Sequence, residues 1–133
     1  MIWKMEASGS ELAALLDETE KLLLAAECPM TALNKVLVMV EEVFVNIASY
    51  AYPEGGGFAW VEIETGPQSV TVRFSDAGVP FNPLEQEEPD ITAGFERRKI
   101  GGLGIFMVRK WADQIDYRYE EGRNILTFTK NYA

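Results

Sequence analysis

FAWVEIETGPQSVTVRFS, residues 58–75, reads as two strands with a turn between them. Ala59, Val61 and Ile63 alternate with Trp60, Glu62 and Glu64, and Val70, Val72 and Phe74 alternate with Thr71, Arg73 and Ser75. A period of two places one set on a buried face and the other on an open one. Gly66-Pro67 supplies the turn, so the strands pair as a hairpin. A sheet grown from hairpins is mixed or mostly antiparallel, unlike the doubly wound sheet that strand-helix-strand crossovers build.

The flanking chain fits this reading. QIDYRYE (114–120) and NILTFTK (124–130) alternate across Gly122 and make a last hairpin, and MIWKMEA at the start makes a short first strand. Leu12, Leu15, Leu16, Leu22 and Leu23 recur at helical spacing after Ser8 and Ser10, which can cap. Cys28-Pro29 breaks that helix. A second helix spans about 30–52, ended by Pro53 and three glycines, and a third spans about 102–113. The order β-α-α-β-β-loop-α-β-β predicts an α/β (α+β) two-layer sandwich with three helices on one face of the sheet.

The 133 residues suit a single domain, 1–133. A net charge of −9 makes the chain a poor partner for nucleic acid or anionic lipid. With one cysteine there is no internal disulfide. The N-terminus lacks a signal-peptide pattern and no apolar run reaches the roughly 18 residues of a span, so a cytoplasmic location and no membrane contact are expected. With no histidine in the chain, Ser-His-Asp and Cys-His catalysis, His-ligated metals and autophosphorylation on histidine are excluded.

Three stretches stand out. On the second helix Glu42 and Asn46 lie one turn apart, opposite the seam of Leu33, Leu37, Val40, Phe44, Ile47 and Ala51, with Val38 and Val45 beside them. Interleaved valines point to a covered cleft, although the spacing alone also fits a surface acid beside Glu41. DAGVPF (76–81) follows a strand: it is a turn by default, or a place where Asp76 accepts from a ligand amino group and Gly78 lets that ligand approach. GGLGIFMVRKWAD (101–113) starts a helix on poor helix formers. It is neither a Walker A nor a dinucleotide fingerprint. What it offers is unpaired N–H groups at a helix N-terminus, suited to phosphate, or a hinge for the preceding loop.

Taken together and in this order, the stretches resemble the GHKL (Bergerat-fold) ATP-binding domain of the histidine-kinase-like ATPase superfamily. EVFVNIASYAYP (42–53), DAGVPFNP (76–83), GGLGIFMV (101–108) and EGRNILTFTK (121–130) look like the N box, the D-x-G-x-P-F box, the glycine box and the closing strand of its stand-alone bacterial anti-sigma-factor serine/threonine kinases. The resemblance covers about residues 6–131. It implies a general base at Glu42 and a Mg²⁺ ligand at Asn46. It also implies an adenine contact at Asp76, with Gly78 and Pro80 in the same box. Phosphate contacts fall to Gly101, Gly102, Leu103, Gly104 and Ile105, and a looser adenine-side contact to Thr127. Residues of about 82–101 would form an ATP lid, where Arg97, Arg98 and Lys99 either neutralise γ-phosphate charge or form a solvated loop.

The function implied is a Mg-ATP-dependent protein kinase that binds a sigma factor and phosphorylates a small antagonist protein, as a homodimer. The alternative is a nucleotide-binding module that switches partners without turnover. Many relatives carry histidine where Tyr50 stands, so any role of that histidine does not transfer. Histidine-kinase function is excluded, and gyrase-like or chaperone-like function would need further domains.

Overall fold

The structure is a computed structural model and describes residues 1–85 and 102–133. In chain order it contains β1 (Ile2–Glu6), α1 (Leu12–Ala25), α2 (Met30–Tyr50), β2 (Phe58–Thr65), β3 (Ser69–Asp76), α3 (Gly102–Trp111), β4 (Gln114–Glu120) and β5 (Arg123–Asn131). The strands form one sheet in the order β1-β2-β3-β5-β4. Every neighbouring pair is antiparallel, so the mixed option falls away. Three helices and this sheet make the two-layer sandwich that the order of elements predicts.

The inner sheet face carries Ala59, Val61, Ile63, Val70, Val72, Phe74, Leu126 and Phe128, all buried. Against it α2 buries Leu33, Val36, Met39, Val40, Val43, Phe44 and Ile47. That is a wider stripe than the single seam expected from the sequence, because α2 packs against both α1 and α3 as well as the sheet. Asn46 is buried in consequence, at 8% exposure, although it lies opposite the expected seam.

Local chemistry sets the element ends. A short 3₁₀ turn, Gly9–Glu11, opens α1, and the Ser8 hydroxyl accepts from the Ser10 N–H. The helix closes in a Schellman arrangement: the Cys28 N–H donates to the Leu23 carbonyl, and the Glu27 N–H to that of Leu24. Glu27 takes the left-handed φ of 59° that glycine usually occupies there. Pro29 follows and cannot continue the helix. The β4–β5 connection is the two-residue turn Glu121-Gly122, both residues at positive φ, as the twist of a tight hairpin demands.

Candidate functional site

Asp76 is the last residue of β3 and pairs across the sheet with Asn124 of β5. Both side chains point to the helix-covered face, and both are buried, at 5% and 7% exposure. The Asp76 Oδ1 accepts the Gly78 N–H at 2.9 Å and the Asn124 Nδ2 at 2.9 Å. Burial drives the Asp76 carboxyl above the ordinary aspartate range, and these two donors oppose that rise.

The loop after β3 is held as firmly. Asn124 Nδ2 also donates to the Val79 carbonyl at 2.9 Å, and Asn124 Oδ1 accepts from the Phe81 N–H at 3.0 Å and from the Tyr117 hydroxyl. The Val79 N–H donates to the Ala51 carbonyl beyond the end of α2 at 2.9 Å. A Cβ at Gly78 would sit 2.1 Å from that same Ala51 oxygen. Glycine is required at 78 by the approach of the chain to Ala51, whatever ligand lies nearby.

These elements line an open pocket between α2 and the sheet. Val43, Ile47, Phe74, Val79, Phe81 and Leu126 give it apolar walls, and Asn46, Asp76 and Asn124 are its polar points. Tyr50 and Pro83 lie in the wall as well.

The sequence candidates divide by place. Asn46 and Asp76 meet in this pocket. Glu42 lies one turn before Asn46 on α2 and outside the pocket lining, half-buried. Its carboxyl is raised, first by burial and then by the charge of Glu41. Gly78 braces the loop, and Pro80 is exposed while its neighbours Val79 and Phe81 line the wall. Gly102 to Ile105 form the first turn of α3, where backbone N–H groups have no intrahelical acceptor, and Ile105 roots that turn in the core. Gly101, residues 86–100 of the expected lid, and Arg97, Arg98 and Lys99 lie outside the described residues.

Thr127 is not brought to the pocket. It follows the outward parity of Ile125 and Thr129, and its hydroxyl accepts from Arg73 Nε on the opposite sheet face at 3.3 Å. The β5 residue that does reach the pocket is Asn124, which the sequence reading passed over. The signal was present: Asn124 shares inward parity with Leu126 and Phe128, a polar residue at the end of an apolar row.

An apolar pocket with one buried carboxylate in its lining suits an apolar planar base bearing an amino group. Among the described residues no three acidic or Cys side chains gather as a metal cage. Asn46 offers a single neutral oxygen, which fits a Mg²⁺ ion held mainly by phosphate and water. No described helix is long and apolar enough to cross a membrane.

An antiparallel two-layer α/β sandwich with a pocket between α2 and the sheet is the class that this fold defines. The chain belongs to the histidine kinase-like ATPase domain family, which it matches over residues 5–130. It is 27% identical over 100 residues to the serine-protein kinase RsbW of Listeria monocytogenes, covering 71% of this chain and 64% of that protein. It is 24% identical over 94 residues to the serine/threonine-protein kinase BtrW of Bordetella bronchiseptica, covering 70% of this chain and 66% of the relative. The chain thus spans just under two thirds of the length of these curated relatives. The crystal structure of the RsbU and RsbW domains of a Mycobacterium tuberculosis protein superposes with a TM-score of 0.64 at 11% identity, over 98% of this chain and 32% of that one. That likeness establishes the shared fold.

Proposed function

We propose that this chain is a Mg-ATP-dependent protein serine/threonine kinase of the anti-sigma-factor type. In this reading it acts in the cytoplasm as a homodimer, binds a sigma factor and phosphorylates a small antagonist protein. The observation that carries the reading is the pocket in which Asn46 and the buried Asp76 converge, with Glu42 one helical turn from Asn46. The names of the relatives support a kinase role at the level of the family.

The roles follow from placement. Asp76 and the apolar walls hold the adenine, and Gly78 keeps the loop beside it close to α2. Asn46 is the protein oxygen for Mg²⁺. The backbone N–H groups of Gly102, Leu103, Gly104 and Ile105 orient the phosphates, with Gly101 leading into them. ATP supplies the γ-phosphoryl group. Glu42 takes the proton from the attacking serine or threonine hydroxyl as its oxygen bonds to the γ-phosphorus and the bond to the β–γ bridging oxygen breaks, releasing ADP. The raised carboxyl makes ionised Glu42 a stronger base than an ordinary glutamate.

Purified protein, Mg-ATP and a candidate antagonist, read by mass spectrometry, test this. Phosphate should appear on one serine or threonine and should depend on Glu42. One observation favours a binding-only module: the pocket is lined without Glu42. Calorimetric ATP binding with no transfer to any antagonist would select that second reading.

A further inference from the structure

We propose that Asn124 sets the purine preference of the pocket, acting through Asp76 as a positioning residue; the proposal rests on the adenine-nucleotide reading above. A side-chain amide has two N–H donors and an oxygen with two lone pairs. Asn124 uses all four: Asp76 Oδ1 and the Val79 carbonyl receive its N–H groups, and its oxygen receives the Phe81 N–H and the Tyr117 hydroxyl. Its orientation is therefore determined. A flipped amide would set its oxygen against a carboxylate and a carbonyl.

The consequence falls on Asp76. Gly78 and Asn124 both occupy Oδ1, and among the described residues no donor meets Oδ2. Oδ2 is left as an acceptor in the apolar pocket. An ionised acceptor there attracts a base with an exocyclic amino group and repels one with a carbonyl at that position. Protonation would invert the preference, since Oδ2–H would then donate to the carbonyl. Burial pushes Asp76 towards that state, and the Asn124 donor opposes it by favouring the charged form. The other ionisable side chains lining the pocket are Tyr117 from β4 and Tyr50 from α2, and Tyr117 in turn lies within the field of Tyr119 and Glu85.

The test compares wild type, Asn124→Ala and the near-isosteric Asn124→Asp from pH 5 to 8. Calorimetry gives ATP and GTP affinities in Mg²⁺, and carbon NMR follows the Asp76 carboxyl in nucleotide-free protein. In Asn124→Ala the Asp76 titration should move up. The ATP-over-GTP preference should fall about tenfold, and fall further as the pH is lowered. Asn124→Asp keeps the shape but sets two carboxylates together, so it should show the same loss with a larger upward shift, and it serves if the alanine variant does not fold. Unchanged preference and unchanged Asp76 titration in a folded variant would overturn the role of Asn124 and leave the nucleotide reading intact. A wild type that binds neither nucleotide would overturn the nucleotide reading, and this proposal with it.

Discussion

Asp76 and Glu42 are two carboxylates that burial pushes in the same direction, yet their surroundings differ in kind. Asp76 stands at a strand end, 5% exposed, with one oxygen tied by the Gly78 N–H and the Asn124 amide. Glu42 stands mid-helix and half-buried, and the hydrogen bonds and ion pairs among the described residues leave its carboxylate without a partner. A pinned acid is suited to recognition, since its acceptor points one way. An untied acid is suited to moving a proton, since no fixed bond must break when it takes one. On the proposed function the pinned acid binds the base and the untied one serves chemistry.

The sharpest break in that division would come from Glu42. Glu42→Ala should lower phosphoryl transfer by about 10²- to 10⁴-fold while ATP affinity by calorimetry stays near wild type. A parallel loss of affinity would place Glu42 in binding and erase the contrast. Because the carboxyl is raised and must be ionised to act, transfer should rise with pH through a midpoint above the ordinary glutamate value of about 4.3. Glu41→Gln removes the neighbouring negative charge, favours ionised Glu42 and should move that limb to lower pH.

The opposite split is expected at Asp76. Asp76→Ala removes the acceptor and leaves the Asn124 donor unpaired in the pocket, so ATP affinity should fall by about 10²-fold. Nucleotide-free stability should respond with a definite sign. The folded Asp76 is raised, so the native state holds its proton more tightly than the unfolded chain. That contribution is full below the unfolded value of about 3.9 and is lost as pH rises through the folded value. The stability of wild type relative to Asp76→Ala, read as melting temperature, should therefore be greatest below that window and decline as the pH rises through it.

Much of this was legible in local pattern. The 58–75 hairpin followed from alternation and the Gly66-Pro67 turn, and Asp76 and Asn46, singled out from separate stretches, line one pocket. Two kinds of information were missing. The place of β5 between β3 and β4 depends on pairing Ser69–Asp76 with residues more than forty positions later, which no local period encodes. The roles of single residues depend on which face they meet. Gly78 read as room for a ligand, but the wall its hydrogen faces is Ala51. Glu27 and Glu121 adopt turn conformations that composition would have assigned to glycine.

Gly78 sharpens the comparison because its loop touches both regions: it carries a donor for Asp76 and rests on the end of the helix that bears Glu42. An added methyl at 2.1 Å from the Ala51 oxygen must displace the loop. Gly78→Ala should cost about 1–3 kcal/mol in chemical denaturation. It should weaken ATP binding and leave the pH midpoint of transfer, which belongs to Glu42, in place. A shifted midpoint would show that the two acids are coupled through the end of α2.

The smallest effect is expected from Thr127→Ala, and its smallness is informative. Thr127 and Asn124 lie three residues apart on β5, so strand parity sends them to opposite sheet faces. Thr127 loses only a 3.3 Å contact from the exposed Arg73, within about 0.5 kcal/mol of wild-type stability. ATP affinity and the ATP-over-GTP preference should match wild type, whereas Asn124→Ala should lower both. Equal losses from the two variants would mean that the sheet as a whole, rather than its inward row, shapes the pocket. Asp76 would then be positioned by strand pairing and not by the Asn124 amide.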